Sequence, residues 1–172
     1  MNGISKGLSF CLWSVLVFAA CSCTAPQQKK ELAWVVNIAD GDTFTLLYTD
    51  KSKVKVRLYG IDTPERGQDF GTAARNALGE MLKGHLVSLQ KKDKDRYGRT
   101  VAVAFRDDGL CINEEMLRLG YAWHYSEYDK NPDWKELEQQ ARKKKIGLWA
   151  GANQTPPWEW RKMKRNKKTN VQ

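Results

Sequence analysis

Acidic residues and arginines gather in three short segments: Asp40-Gly41-Asp42-Thr43, Arg57-Leu58-Tyr59-Gly60-Ile61-Asp62-Thr63-Pro64-Glu65 and Asp95-Arg96-Tyr97-Gly98-Arg99. Hard divalent cations take oxygen ligands, so Asp42, Asp62 and Glu65, converging with the Thr63 carbonyl, suit Ca²⁺. Pro64 fixes its own φ and restricts Thr63, which stiffens the loop between the carboxylates. The arginines fit the other half of the same chemistry. Phosphoryl transfer accumulates negative charge on equatorial oxygens, and guanidinium groups such as those of Arg57 and Arg99 stabilise it with paired hydrogen bonds. Taken singly, the fragments are ordinary: Asp-Gly-Asp reads as a turn, Asp-Thr-Pro-Glu as a helix-entry cap, and Asp-Arg-Tyr-Gly-Arg as a basic β-turn. Chemistry follows only if a scaffold brings them together.

The surrounding sequence supplies such a scaffold. Residues 32–38, 43–48 and 53–59 are rich in β-branched and aromatic side chains, with partial alternation, and Asp50-Lys51-Ser52 punctuates the last two as a hairpin. Asp42 then opens one strand and Asp62 follows the end of its neighbour. Ala73, Ala77, Leu78, Met81 and Leu82 follow helical spacing over residues 68–83. Residues 86–90 and 100–105 are two further strands, Gly98 allowing a turn that aims Arg99 inward. Asp107-Asp108-Gly109 is a turn leading into an extended stretch at 110–112. Asn113 reads as the N-cap of a second helix that stops before Gly120. Asn131, Pro132 and Asp133 open a third, which Gly147 ends. This order is that of an α+β, mainly β fold: a five-stranded Greek-key OB-fold barrel with about three helices, whose barrel face commonly binds oligonucleotides.

The chain has 172 residues, 41% of them hydrophobic, and seven tryptophans, which is enough apolar side chain for a core and excludes a disordered chain. The formal net charge of +9 suits a polyanionic partner. Residues 1–23 read as an export signal: Lys6 precedes an apolar run that ends in Ala19-Ala20-Cys21-Ser22-Cys23, too short for a comfortable membrane span. Val17-Phe18-Ala19-Ala20-Cys21 is similar to a lipoprotein cleavage box, making Cys21 the expected lipidation site, with Cys23 a second candidate and a secreted or periplasmic soluble form the alternative. Residues 24–31 read as a tether, 32–150 as the folded domain, and 151–172 as a C-terminal extension with a basic tail. Three of the four cysteines lie in or beside the signal, leaving Cys111 as a buried small hydrophobe. No CxxC pair is present and the two histidines are isolated, a poor basis for a zinc site.

In order, spacing and residue type, the three charged segments resemble the staphylococcal nuclease (thermonuclease) family over residues 35–149. The resemblance implies an OB-fold phosphodiesterase using one Ca²⁺ to hydrolyse DNA and RNA; the expected substrate is single-stranded or locally melted, and a monomer is the default expectation. It makes Asp42, Asp62 and the Thr63 carbonyl the metal ligands, Arg57 and Arg99 the phosphate clamps, and Glu65 the general base. Arg96 and Tyr97 fall where the family contacts a terminal phosphate and flanks the nucleotide, Arg96 standing where Lys is common. Tyr128 matches one aromatic placed against the base, while Ser126 replaces another; Trp123 is a core residue and His124 a structural hydrogen-bonder on the same reading. Gly147-Leu148-Trp149 and Pro156-Pro157-Trp158-Glu159-Trp160-Arg161 read as packing against the barrel, followed by a solvated tail. A non-catalytic OB-fold that holds single-stranded nucleic acid is the competing interpretation. A lipoprotein that binds acidic polysaccharide or lipid is a third, and neither explains why acids and arginines occur together at these spacings.

Overall fold

β1 (Ala33–Ile38), β2 (Thr43–Leu47) and β3 (Lys53–Leu58) pair antiparallel in succession. The turn between the last two is closed by Asp50, which accepts the Ser52 N–H at 2.8 Å. In β3 the alternation is clear: Lys53 and Lys55 face water while Val56 and Leu58 are buried. The chain then leaves the barrel for a two-residue strand, β4 (Ile61–Asp62), and a helix, α1 (Gly71–Leu82). β5 (Leu86–Lys94) and β6 (Thr100–Arg106) form a long hairpin. Next come α2 (Ile112–Arg118), β7 (Trp123–His124), α3 (Pro132–Lys144), a 3-10 turn at Gly147–Ala150 and α4 (Pro157–Thr169). This computed structural model describes residues 30–152 and 154–169, so the expected export signal, Cys21, Cys23 and most of the tether lie outside the described residues.

The five long strands close into a barrel in the order β1-β2-β3-β6-β5, the arrangement expected of an OB-fold. Phe44, Leu46, Val56, Leu58, Val87, Ala102 and Ala104 form one buried cluster with Ala74, Leu78 and Leu82 of α1 and Ile112, Met116 and Leu117 of α2. Each large side chain so buried contributes about 1.5–3 kcal/mol. Two strand pairings position the charged residues. Thr43 lies opposite Arg57 in the β2–β3 register, and β6 runs parallel to β3 with Thr100 beside Val56. The residues just outside these pairs, Asp42 and Arg99, are thereby carried to the same end of the barrel.

Several helix boundaries differ from expectation. α1 begins at Gly71 rather than 68, because the chain folds back on itself between Glu65 and Phe70. A Cβ at position 71 would stand 2.3 Å from the Glu65 carbonyl oxygen, so only glycine fits that reversal. α2 starts a residue before Asn113, and Asn113 is no cap. It is fully buried, accepting the Ala104 N–H at 3.0 Å and donating to the Tyr59 carbonyl at 2.8 Å, so it ties the helix to the barrel. Asn131 does cap α3, accepting the Asp133 N–H at 2.9 Å, but that helix ends with Lys145 in the left-handed region, two residues short of Gly147. α4 forms where the sequence reads as a packed segment and solvated tail, giving four α-helices among the described residues rather than about three.

We expect Asn113→Ala to lower unfolding stability by about 1–3 kcal/mol in denaturant titrations, because it strands the buried Ala104 N–H and the partly buried Tyr59 carbonyl. Asn113→Asp at neutral pH is expected to cost at least as much, by placing a charge there.

Candidate active site

Asp42 closes the turn into β2, where its backbone carbonyl accepts the Leu58 N–H at 2.9 Å. Gly41 beside it has no room for a side chain, since a Cβ would lie 2.8 Å from the Thr63 hydroxyl oxygen. Asp62 is the last residue of β4, whose partner strand β7 places it opposite Trp123. Both carboxylates are buried, at 5% and 1% exposure, so each needs compensation. Arg57 provides it. Nη1 lies 2.9 Å from Asp42 Oδ2 and Nη2 lies 2.9 Å from Asp62 Oδ1, while Nη1 also donates to the Leu58 and Ile61 carbonyls at 3.1 and 3.0 Å. Asp42 Oδ2 further accepts the Thr63 N–H and hydroxyl, each at 3.0 Å.

Around this pair the other chemistry-bearing residues converge. Asp42, Arg57, Asp62, Thr63, Glu65, Arg96, Tyr97, Arg99 and Tyr128 all line one cleft of about 760 Å³. Arg99 is steadied by Asp95, with Nε 2.6 Å from Oδ2, and its Nη1 donates to the Thr43 hydroxyl at 3.3 Å. Burial opposes the ionised form of Asp95, but the Arg99 hydrogen bonds hold its carboxyl below the ordinary value. Tyr97 and Tyr128 are exposed at the rim, and the Arg96 guanidinium lies over the Tyr97 ring at 4.9 Å. Trp123 is buried, edge-on to Trp149, and buried His124 pairs with Asp129 at 2.8 Å.

One guanidinium at the centre of the cleft has no chemical role on the sequence reading. Arg161, from the first turns of α4, donates through Nη1 to Asp62 Oδ1 at 3.2 Å and Glu65 Oε1 at 2.7 Å, and through Nη2 to Asp62 Oδ2 at 2.8 Å. The segment expected to pack against the barrel and lead into a solvated tail therefore delivers a guanidinium to the centre. The sequence does carry a signal for it: Pro156-Pro157 followed by Glu159 opens a helix, on which Trp158 and Arg161 are one turn apart.

The donor set suits a hard divalent cation, being oxygen throughout: two carboxylates and the carbonyl of Thr63, with Glu65 and Asp40 nearby. Burial, and after it the charge of Asp42, push the Asp40 carboxyl up to about 7. Asp62 is likewise raised by burial, against the opposing hydrogen bond from Arg161. Among the described residues no three His, Cys, Asp or Glu side chains are grouped as metal ligands; two carboxylates share the centre, with arginine nitrogens between them and Glu65.

A family pattern described as Staphylococcal nuclease homologue matches residues 55–151. The chain belongs to the staphylococcal nuclease family. An uncharacterized endonuclease of Haemophilus influenzae is 39% identical over 149 residues, spanning 87% of this chain and 80% of the other. One of Escherichia coli O157:H7 is 38% identical over 130 residues, 76% of this chain and 84% of that protein. The staphylococcal-like nuclease CAN1 of Arabidopsis thaliana is 42% identical over 113 residues, but the match spans only 35% of the plant protein. The family match includes Arg57, Asp62, Thr63, Glu65, Arg96, Tyr97, Arg99 and Tyr128 and stops short of Arg161.

The Asp40 carboxyl yields a pH signature. An unfolded chain releases this proton near 3.8, whereas the folded protein keeps it to about 7. Folded protein thus binds more protons in that window, and stability falls as pH rises through it. In chelator, Asp40→Asn should raise the melting temperature at pH 8 and leave it nearly unchanged at pH 4; equal effects at both would contradict the assignment.

Proposed function

We propose that this protein is a calcium-dependent nuclease that hydrolyses phosphodiester bonds of DNA and RNA by in-line attack of water. The observation that carries the reading is the convergence of paired buried carboxylates, an adjacent glutamate and two arginines in a single cleft of a nuclease-family barrel. Asp42, Asp62 and the Thr63 carbonyl would hold the ion. Bound there, calcium supplies Lewis-acid stabilisation and orients phosphate and water.

The chain's own residues account for the rest. Glu65 accepts the proton of the attacking water as the new oxygen–phosphorus bond forms and the bond to the leaving oxygen breaks. Arg99, with Nη2 unpartnered among the described residues, faces the phosphoryl oxygens, and Arg57 joins it by exchanging carbonyl contacts for phosphate. Both favour the crowded transition state over the tetrahedral ground state. Arg96 contacts a neighbouring phosphate, and the exposed rings of Tyr97 and Tyr128 offer faces on which bases stack, at about 1–3 kcal/mol each. Stacking needs splayed bases, which favours single-stranded or locally melted substrate. Residues 1–23 would direct export, with lipid attached at Cys21 holding the domain at a membrane.

Linear and single-stranded DNA incubated with the protein should be fragmented with Ca²⁺ and left intact with chelator. Glu65→Gln and Arg99→Ala should each lower the rate by about 10²-fold or more. Gel retardation without cleavage in every condition would establish a binding module instead. For the anchor, Cys21→Ala should release the protein from membranes, and continued retention would exclude Cys21.

A further inference from the structure

Glu65 sits on a loop whose own hydrogen bonds are local turns, the Gln68 N–H donating to the Glu65 carbonyl at 2.9 Å and the Gly71 N–H to the Gln68 carbonyl at 3.0 Å. Between Pro64 and Gly71 the chain reverses through Gly67 and Phe70, both with positive φ. Gln68 folds back to accept the Glu65 N–H through Oε1 at 3.0 Å, a purely local tie. The contacts from beyond the loop come chiefly from one place. Gln68 Nε2 donates to the Thr155 carbonyl at 2.6 Å, and Arg161 Nη1 donates to the Glu65 carboxylate at 2.7 Å. Against these stands a long bond from Arg66 to the Ala39 carbonyl at 3.4 Å.

The C-terminal segment is itself firmly seated. Pro157 is buried, and the Trp158 ring stacks on Tyr125 with centroids 5.3 Å apart and planes at 6°. Tyr125 in turn meets Tyr128 edge-on at 4.8 Å, so α4 rests on the aromatic wall of the cleft. From that seat Arg161 engages both oxygens of Asp62, which is buried and paired in β4, and the same Nη1 that touches Asp62 reaches Glu65. One guanidinium thereby spaces the loop glutamate from a fixed carboxylate. A flat fork with several donors suits this task, and lysine, a point charge, would do it less well.

We propose that the C-terminal helix is a clamp for the catalytic loop and that Arg161 is a positioning residue, holding the Glu65 carboxylate at a set distance from Asp62. The inference rests on the proposed hydrolysis for the role of Glu65 but not for the clamp itself. Misplacement of a reacting group by about 1 Å can cost on the order of 10²-fold in rate. Because both terminal nitrogens of Arg161 are taken up by Asp62 and Glu65, substrate affinity should stay close to wild type.

The test pairs kinetics with amide hydrogen exchange on the full-length protein. In metal-free protein, Arg161→Ala and, separately, Gln68→Ala should speed exchange of amides in residues 65–70, while Lys162→Ala leaves it unchanged. With Ca²⁺ and single-stranded DNA, Arg161→Ala should lower kcat about 10- to 100-fold while KM stays within about threefold, and Arg161→Lys should recover part of the loss. Exchange at wild-type rates in both loop variants, or a kcat for Arg161→Ala equal to or above wild type, overturns the clamp. An inactive wild-type protein with the exchange pattern intact would instead remove the hydrolysis and leave the clamp standing.

Discussion

Two carboxylates out of water, Asp42 and Asp62, set the terms for the rest of the molecule. Desolvating each costs several kcal/mol, and the pair would repel one another without a cation between them. Arg57 meets that need with a separate nitrogen for each acid, and its own burial is offset by two backbone carbonyls. The arrangement is stable only if three chain segments arrive at fixed positions. That demand falls on the barrel.

The barrel meets it through register rather than through loops. Setting Thr43 against Arg57 puts Asp42 beside the end of β3, and the parallel β3–β6 pairing brings Arg99 alongside. Slipping either pairing by one residue would turn Val56 and Leu58 out of the core, so the same apolar burial that holds the fold also fixes the charges. Asp62 is placed by the short β4–β7 pairing, behind which Asn113 pins α2 to the backbone of Tyr59. Glu65 is the exception. It lies on a reversal tied to the barrel, among the described residues, only by the long Arg66–Ala39 bond, and its carboxylate is met by Arg161 from the far end of the chain.

That division explains which features are legible in the sequence. The five barrel strands announce themselves as apolar stretches bounded by turn residues, whereas the two-residue β4 and β7 are too short to carry such a pattern, and the charged residues are visible because they lie in compact motifs near strand ends. Asn113 misleads because an asparagine before a helical pattern reads as a cap, whereas here its amide bridges two backbone groups from elsewhere in the fold. Lys145, not Gly147, ends α3, since the glycine is needed two residues later for a close approach to the Gly120 carbonyl. Arg161 escapes notice for a different reason. In a stretch dense in Lys and Arg, charge alone does not single out the one guanidinium that meets Asp62 and Glu65, ninety-nine and ninety-six residues away.

The claim that Asp42, Arg57 and Asp62 form one cation-and-phosphate centre is tested most directly by a crystal structure with Ca²⁺ and a cleavage-resistant phosphorothioate oligonucleotide. A single ion is expected at about 2.3–2.6 Å from oxygens of Asp42, Asp62 and the Thr63 carbonyl, with Arg57 and Arg99 on one phosphate. An ion bound away from Asp42 and Asp62, or a phosphate that neither Arg57 nor Arg99 touches, would contradict it.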